Sequence, residues 1–419
     1  MPNSFLTTKL IARQTLPRLI ENLVMPNLCY RDFSEDFAKQ GDTIRVRKPV
    51  VLTAQTFTVG TPVNAQDVVE DSVDVKLDTI ATVDVNIEAI EMATNVDDLN
   101  RLVIEPAAAA LAQKINEDGL KMYKYFPAIG AAGTTPDGLD DFAAIRKALN
   151  VANVPLDNRV AIWDPNADAE FTQIGNLVKV SESGSPRALR EGEIGRVFGL
   201  DNYMSQTVQA HTASTLTAGG TAASGVKIKS AVTADDEVIL VSNGTASATL
   251  TGSVVVGDVL DITHGGAHII ATVVEAATAE SNELTVKLDK KVTVSANDAA
   301  ELKSFTANLA FHRNAIAFVT RPLIAPSGAD SYTTSYNGLS LRVVRDYDIS
   351  LKQEKIAVDV LYGSRSADDL VQLKEIQEKW MKAEGVNVYL TIDREQEGWD
   401  GHGAAAISSM SDTSTALSP

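Results

Sequence analysis

The most constraining feature of the sequence is an alternation of apolar and polar residues from Val73 to Ile87. The odd positions carry Val, Leu, Thr, Ala and Ile, whereas the even positions are polar except for Ile80. A period of two is the signature of a β-strand. At ~3.3 Å per residue such a strand would extend about 50 Å, beyond the usual length of a strand packed inside one domain. We therefore expect it to project or to bend.

A second β-like run, at residues 43–59, precedes this alternation, and turn-forming residues lie between the two runs at positions 60–67. The pair predicts a long hairpin arm. An exposed arm of this length would be prone to aggregation, so we expect it to lie on another subunit. The charged residues that we expect to make contacts between subunits are Arg45, Arg47, Lys48, Asp74, Asp78 and Asp84. The alternative is ordinary charge decoration within one hairpin.

Helical patterns flank the hairpin. Residues 4–39 form one or two amphipathic pieces, in which Pro17 and Pro26 favour a bent arm over a core helix. Residues 96–125 predict a long helix, and Pro106 either kinks it or opens a fresh helix. A second helix is predicted at residues 140–152, followed by a buried strand at residues 159–165.

Residues 205–304 differ in composition from both flanks. No Phe, Tyr or Trp occurs between positions 203 and 305, no Arg between 196 and 313, and no Pro between 186 and 322. Short Val- and Thr-rich runs separated by turn signals predict a small β-barrel or sandwich inserted into a larger domain. Beyond it we expect β-runs at residues 308–320, 339–344 and 356–362, a helix at 366–385, a strand at 386–392 and a disordered tail.

Charge narrows the classes of partner. The 419 residues carry 37 Lys and Arg against 55 Asp and Glu, a formal charge of −18, which disfavours non-specific nucleic-acid binding and docking on anionic membranes. The first thirty residues lack the apolar core of a signal peptide, and the longest charge-free stretch, residues 202–226, is too polar for a membrane span. The single cysteine, Cys29, excludes an internal disulfide and is expected to be a buried thiol. We expect a cytoplasmic product.

No motif for catalysis, cofactor binding or metal binding stands out. His264 and His268 are four residues apart, but the Gly pair between them indicates a turn and not a helix face with two ligands. His312 is expected to have a structural role, and His211 to be solvated within a linker. An acidic cluster near the C-terminus matches no known spacing of metal ligands and is expected to be a solvated loop: Asp393, Glu395, Glu397, Asp400 and His402. We expect no enzyme activity and no cofactor.

Three passages carry a resemblance to a known family. GDTIRVRKP (41–49) resembles the opening of the extended loop of tailed-bacteriophage major capsid proteins, and NVDDLNRLVIEPAAAALAQKINEDGLKMY (95–123) resembles their spine helix. NLAFHRNAIAFVTRPL (308–323) resembles the strands that follow the insertion in coat proteins of the P22 type. The resemblance spans most of residues 1–365. It implies an α+β, HK97-like capsid fold with peripheral and axial domains and an inserted all-β, barrel-like domain.

On this resemblance the chain divides into an N-terminal arm (1–40), an extended hairpin loop (41–91), a spine helix (92–130), the first part of the axial domain (131–204), the inserted β-domain (205–304), the axial return (305–335), a peripheral hairpin (336–366) and a C-terminal extension (367–419). We expect the extension to lie on the outer surface or to bind a neighbour.

The resemblance also implies a function. Copies would assemble into pentamers and hexamers of an icosahedral shell in the host cytoplasm, with a scaffolding protein, a portal protein and, as a further candidate partner, a decoration protein. The shell would enclose double-stranded DNA without binding a specific sequence, and weak repulsion by an acidic wall would suit that task. Three alternatives remain: an encapsulin-like bacterial compartment, a β-rich surface adhesin or carbohydrate-binding protein, and a metal hydrolase that uses the cluster from Asp393 to His402.

Overall fold

The structure is a computed structural model that describes residues 8–29, 31, 43–47, 72–88, 105–130, 133–152, 154–179, 187–219, 221–222, 225–242, 249–336, 338–350, 353–363 and 389–391. The α-helices are α1 Thr8–Asn22, α2 Met25–Leu28, α3 Glu105–Leu120, α4 Leu139–Val151, α5 Pro165–Phe171, α6 Gly175–Val178 and α7 Arg187–Glu191. Two short 3₁₀-helices span Lys121–Tyr125 and Arg313–Ala315.

The first strands of the chain are β1 Thr43–Arg47, β2 Ser72–Lys76, β3 Thr79–Glu88, β4 Ala128–Ile129, β5 Arg159–Trp163, β6 Arg196–Val197, β7 Leu200–Met204 and β8 Ala210–His211. The next are β9 Leu216–Ala218, β10 Thr221–Ala222, β11 Val226–Ile228, β12 Val232–Ser242, β13 Leu250–Val254, β14 Val259–His264, β15 Ala267–Thr272, β16 Ala277–Thr278, β17 Glu283–Val294 and β18 Ala299–Lys303. The last are β19 Phe305–Thr306, β20 Asn308–His312, β21 Val319–Arg321, β22 Asp330–Tyr336, β23 Leu339–Asp348, β24 Gln353–Gly363 and β25 Tyr389–Thr391.

The chain forms two compact units, one of Met1–Met122 with His312–Val386 and one of Tyr123–Phe311 with Asn387–Pro419. In the first unit β24 pairs along one edge with β3 and along the other with β23 and β21, and β22 continues from β23. The β-runs predicted at residues 339–344 and 356–362 are present as the antiparallel strands β23 and β24. Burial alternates in the first half of β24, where Glu354, Ile356 and Val358 are buried, and every residue from Val358 to Gly363 is buried.

The alternation from Val73 to Ile87 does not form one strand. It is divided at Leu77 and Asp78 into β2 and β3, and the two pieces have different partners: β2 pairs with β1, and β3 pairs with β24. The division occurs where Leu77 is fully buried and Asp78 is exposed. At the expected bend the chain therefore leaves the sheet that contains β2 and enters the sheet that contains β3.

Helix α1 differs from the bent arm that its prolines predicted. It contains Pro17 and remains helical over 15 residues, and Ile11 and Leu19 on its inner side are buried. Pro17 is exposed, so its ring displaces no core side chain, and its cost is one missing backbone hydrogen bond and crowding against the preceding turn of the helix. Burial of its apolar stripe outweighs that loss, and α1 is a core helix of the first unit.

Helix α3 begins at Glu105, so Pro106 lies in its first turn, where a missing N–H leaves no bond unmade. Of the two alternatives for Pro106, the start of a fresh helix is the one observed. The preceding residues 89–104, which were expected to belong to the same long helix, lie outside the described residues. Asp118 near the end of α3 accepts hydrogen bonds from the Tyr362 hydroxyl at 2.6 Å and from Lys114 and Lys121 at 3.0 Å.

The second unit contains a six-stranded sheet in the order β4-β25-β20-β5-β7-β6. The predicted buried strand is its member β5, in which all five residues are buried, and the predicted helix at 140–152 is α4. Phe142, Trp163 and Phe171 form the centre of the core, with ring centroids 4.6 to 5.3 Å apart. Strand β25 shows that residues 389–391 of the C-terminal extension return to this sheet between β4 and β20.

The elements from β9 to β18, here called the β-domain, contain a sheet that closes on itself. Six strands follow the order β15-β14-β18-β11-β12-β17, and an antiparallel bridge between Val273 and Leu288 joins the last strand to the first. We call these six strands the barrel. Its interior is a single apolar core that includes Leu240, Leu260 and Val286. The chain enters and leaves through β8 and β19, which pair with each other in register His211 to Phe305.

No helix in the described part of the chain is both long enough and apolar enough to cross a membrane. The predicted helix at 366–385, the tail and most of the predicted N-terminal arm beyond α2 fall outside the described residues.

Candidate functional site

Strands β1 and β2 form a two-stranded antiparallel ribbon, and this ribbon is the part of the predicted hairpin that the structure describes. Its register places Arg45 opposite Asp74 and Arg47 opposite Ser72. Lys48 and the expected distal part of the hairpin lie outside the described residues. Among the strands described, β1 and β2 pair only with each other. The outer edge of each strand is therefore unpaired by any other described strand.

The base of the ribbon is fixed by burial. Val75 and Leu77 pack against Val319 in a small apolar cluster of the first unit. This cluster holds the point at which the chain passes from β2 to β3, while the ribbon itself has no further strand beside it in the described chain.

Asp78 and Asp84 lie outside the ribbon. Asp78 follows β2 and is exposed, and its carboxylate accepts a hydrogen bond from the Thr79 hydroxyl at 3.0 Å. Asp84 is exposed on β3, opposite Ala357 of β24, and accepts a hydrogen bond from the Thr82 hydroxyl at 2.9 Å. Of the six predicted contact residues, the structure brings together Arg45 and Asp74 by register, and leaves Asp78 and Asp84 as separate exposed carboxylates.

A buried polar network lies where the β-domain meets the rest of the second unit. The Tyr123 hydroxyl is 2.7 Å from His211 Nδ1, and His211 Nε2 is 2.8 Å from Asp258 Oδ1. The ring of Phe305 stacks on His211 with centroids 4.9 Å apart. All of these side chains are buried, so the expectation of a solvated His211 was wrong. His211 lies in β8, which pairs with β19, and its side chain is buried there.

Asp258 is the charged centre of the network. Burial acts to raise the pKa of its carboxyl group, but hydrogen bonds from His211, Ser214 and Val255 outweigh burial and lower that pKa. The Val255 amide donates to Oδ2 at 2.8 Å, and the Ser214 amide donates to Oδ1 at 3.2 Å. The ionised Asp258 carboxylate accepts hydrogen bonds from several donors and so stabilises the turn between β13 and β14.

The hydrogen-bonded series of Tyr123, His211 and Asp258 resembles a catalytic proton relay, but the pKa shifts of Tyr123 and Asp258 indicate a structural role. Burial raises the pKa of the Tyr123 hydroxyl to about 12, with a further contribution from Asp258, so the tyrosine is held as a neutral hydrogen-bonding group. An activated nucleophile needs the opposite shift. Both ring nitrogens of His211 are engaged, and no described residue of the network offers an exposed nucleophile.

A polar cavity of about 320 Å³ lies beside this network, between β8, β19 and the loop that contains Gly133 and Pro136. His211, Asp164 and Asn308 line it. The Asn308 side chain accepts the Asp164 amide at 2.7 Å, and the Asp164 carboxylate caps α5 by accepting the Asn166 and Ala167 amides. The side chains of Asp164 and Asn308 thus already make hydrogen bonds that stabilise the fold.

His264 and His268 do not form a shared metal site. His264 is paired in register with Ala267 and His268 with Thr263, so the two histidines project from opposite faces of the β14-β15 hairpin. Each has its own carboxylate partner: His264 Nδ1 is 2.6 Å from Asp298, and His268 Nδ1 is 2.8 Å from Asp261. No cluster of three potential metal ligands occurs among the described residues.

Two further predictions concern single residues. Cys29 is the buried thiol that was expected, and burial raises its pKa to about 12. The acidic cluster from Asp393 to His402 lies outside the described residues.

Comparison with known proteins gives structural matches alone, because no family model and no curated protein matches the sequence. A chain of Mycobacterium phage Che8 is similar at 16% identity, with 88% of this chain and 90% of that chain covered and a TM-score of 0.46. A capsid chain of the cyanophage P-SCSP1u is similar at 12% identity, with 89% of each chain covered and a TM-score of 0.43. The mature capsid of bacteriophage PhiM1 gives 11% identity, 89% and 88% coverage and a TM-score of 0.43.

The chain is similar to phage capsid chains. The structure also mixes helices with a larger number of strands, as the predicted α+β class requires.

The residues of the buried network escaped the sequence analysis. Tyr123, His211 and Asp258 are separated by 88 and 47 positions, so no local spacing connects them. The one local signal is the Gly257-Asp258 pair between two Val-rich runs, which indicates a tight turn with a capping carboxylate.

Proposed function

We propose that this protein is the major capsid protein of a tailed bacteriophage, and that it assembles into pentamers and hexamers of an icosahedral shell around double-stranded DNA. The observation that carries the proposal is the ribbon of β1 and β2, whose outer edges have no further strand beside them among the described residues. A two-stranded ribbon is marginally stable alone. Pairing or packing with neighbouring copies would supply what the single chain lacks.

The charges of the ribbon give the proposed contact a direction. Arg45 and Arg47 lie on β1, Lys48 is the next residue in the sequence, and Asp78 and Asp84 are exposed carboxylates elsewhere in the first unit. We infer that the basic strand of one copy lies against the exposed carboxylates of the next. Such a head-to-tail contact generates rings, which is the geometry that pentamers and hexamers need.

The net charge of −18 fits an enclosing role. An acidic wall repels packed DNA weakly and does not bind it at fixed places, so the genome can move during packaging. We propose a scaffolding protein, a portal protein and a possible decoration protein as partners, assembly in the host cytoplasm, and no cofactor. The β-domain would be an insertion into the axial domain, because β8 and β19 bring its two ends together.

The first test is negative-stain electron microscopy of the purified protein, expressed with and without a candidate scaffolding protein from a neighbouring gene. Closed icosahedral shells, or spirals when the scaffold is missing, support the proposal. A protein that stays monomeric or dimeric at every concentration and salt, with the scaffold present, overturns it. Closed shells that enclose a protein cargo and assemble without a scaffold would favour the encapsulin-like alternative.

The second test separates contacts within one ribbon from contacts between copies. Arg45→Glu alone should block shell formation. Adding Asp74→Arg in the same chain restores the cross-strand pair of one ribbon, whereas adding Asp84→Arg restores only a contact between copies, because Asp84 lies opposite Ala357 in its own chain. Shells from Arg45→Glu with Asp84→Arg support the inferred interface. Rescue by Asp74→Arg alone would place these charges within one hairpin and would leave the shell function standing.

A further inference from the structure

The β-domain contacts the chain that follows helix α3 at three separate points, and the first is a close backbone approach. Gly257, in the turn between β13 and β14, has a φ of +90°. A Cβ atom at this position would lie 3.0 Å from the Cα atom of Lys124 and closer still to its side chain. Both the positive φ and the close approach of Lys124 therefore require glycine at position 257.

The second point is the buried network. Tyr123, beside Lys124, reaches Asp258, beside Gly257, through His211. Two consecutive residues of the turn in the β-domain thus meet two consecutive residues of the 3₁₀-helix Lys121–Tyr125. One pair of residues is in steric contact and the other is joined by hydrogen bonds.

The third point lies four residues further along the chain. The amide of Ala128 in β4 donates to the Thr272 hydroxyl of β15 at 3.1 Å, and the Thr272 amide donates to Asp289 at 2.8 Å. The segment from Tyr123 to Ala128 is thereby held by side chains or backbone from β8, the β13-β14 turn and β15.

The segment under these contacts is an unusually long 3₁₀ turn. A 3₁₀-helix has poorer hydrogen-bond geometry than an α-helix, and runs of more than three or four residues are uncommon, so the 5-residue helix Lys121–Tyr125 is expected to need contacts from outside itself. Here it continues directly from α3, and the Phe126 amide donates to the Tyr123 carbonyl at 3.1 Å in the i to i+3 pattern. Nothing in its sequence, KMYKYF, demands the tighter winding.

We propose that the β-domain is a clamp on this 3₁₀ turn. While the β13-β14 turn is docked on Tyr123 and Lys124, the chain after α3 keeps its 3₁₀ form, and undocking of the β-domain releases that turn. The β-domain and the turn then behave as one two-state element. The inference goes beyond the proposed shell function and does not depend on it, because it can be tested on the unassembled protein.

The test is hydrogen–deuterium exchange of full-length protein with a matched pair of glycine variants. Gly257→Ala introduces a Cβ against Lys124, while Gly266→Ala introduces the same strain, at a φ of +88°, where no atom lies within 4 Å. We expect the amides of residues 123–128 to exchange at least ~10-fold faster in Gly257→Ala and at the wild-type rate in Gly266→Ala. Strands β14 and β17 should stay protected in both, which shows that the barrel is folded.

A second pair keeps the proposal testable should Gly257→Ala unfold the barrel. Tyr123→Phe removes the hydroxyl that bonds His211 and keeps the ring, and Tyr203→Phe removes the hydroxyl of a half-exposed tyrosine of β7 as the control. Faster exchange at Phe126 and Ala128 in Tyr123→Phe alone supports the clamp. Unchanged exchange at residues 123–128, in either folded Gly257→Ala or Tyr123→Phe, overturns it.

Discussion

The ribbon and the barrel are both antiparallel β-structures, and they end their sheets in opposite ways. In the barrel each strand has a neighbour on both sides, because the Val273–Leu288 bridge joins the two ends of the sheet. In the ribbon each strand has one described partner. A closed sheet leaves no edge for another chain, while an open ribbon offers two. The barrel is therefore complete within one chain, whereas the ribbon is the part that we propose to bind neighbouring copies.

The same contrast appears in how each part is held. The barrel has an apolar core of its own, formed by residues from several strands. The ribbon is fixed at its base by the small cluster of Val75, Leu77 and Val319. We therefore expect substitutions in the barrel and at the base of the ribbon to act on the stability of the single chain, and changes in the strands of the ribbon to act on assembly. Four predictions test this difference.

The largest effect is expected inside the barrel. Leu240→Ala removes a fully buried side chain and leaves a cavity, and should lower the free energy of unfolding by about 4 kcal/mol. Denaturant unfolding followed by circular dichroism measures the change. Thr285→Ala, at an exposed position of the neighbouring strand β17, is the control and should change little. Equal losses from the two variants would contradict the assigned core.

The next effect is expected at the base of the ribbon. Leu77→Ala should lower the free energy of unfolding of the first unit by about 3 kcal/mol, because Leu77 is fully buried in a small cluster. Ile80→Ala, three residues further on and 39% exposed, should cost much less. The measurement is again denaturant unfolding. If Leu77→Ala reduced shell yield and left the unfolding of the dissociated protein unchanged, the anchor would belong to the interface instead.

A smaller, pH-dependent effect is expected at Asp258. The pKa of Asp258 is lowered in the folded state, so folding favours the ionised carboxylate. Its contribution to the free energy of unfolding is fully present above the ordinary carboxyl pKa, about 4. That contribution is lost as the pH falls through the lower pKa of the folded state. Asp258→Asn should cost about 2 kcal/mol at pH 7. Thermal unfolding from pH 8 to pH 3 should show a constant gap down to about pH 5 and a shrinking gap below about pH 4. A gap that widens in acid would contradict the assignment.

The smallest effect is expected from an ion pair on the barrel surface. Lys229 Nζ lies 2.6 Å from Glu283, but both side chains are about one-third exposed. Lys229→Ala should therefore change the free energy of unfolding by less than about 0.5 kcal/mol, and less still in high salt. Denaturant unfolding at two salt concentrations measures it. A loss comparable to that of Leu240→Ala would mean that surface charge, and not the core, stabilises the barrel.

Local patterns predicted most of the described elements. Helix α4, strand β5 and the β23-β24 hairpin depend on short-range periodicity and appear where expected. The division at Leu77 escaped prediction, because an unbroken alternation cannot tell that its two halves pair with different strands. Pro17 misled for a related reason: the cost of proline in a helix is local, while the burial that offsets it depends on tertiary contacts.

The candidate interface and the buried network show the limit of sequence reasoning in two forms. The sequence indicates the hairpin and its charged residues but not the register that places Arg45 opposite Asp74, and which charges meet between copies stays a prediction. Tyr123, His211 and Asp258 meet only because the β-domain folds back on the chain after α3. Contacts between residues so distant in sequence have no local signature.

The pairing of β8 with β19 has a consequence for how such a chain can change over time. Paired residues of neighbouring strands lie roughly 5 Å apart, so the body of the second unit, meaning the unit without its β-domain, offers two adjacent attachment points at His211 and Phe305. Any inserted domain, or module, whose two ends lie side by side can be exchanged at these points without moving the six-stranded sheet of the body. Loss of the module would need only a tight turn in its place. Lineages that share the body could therefore carry different modules, or none, at this position.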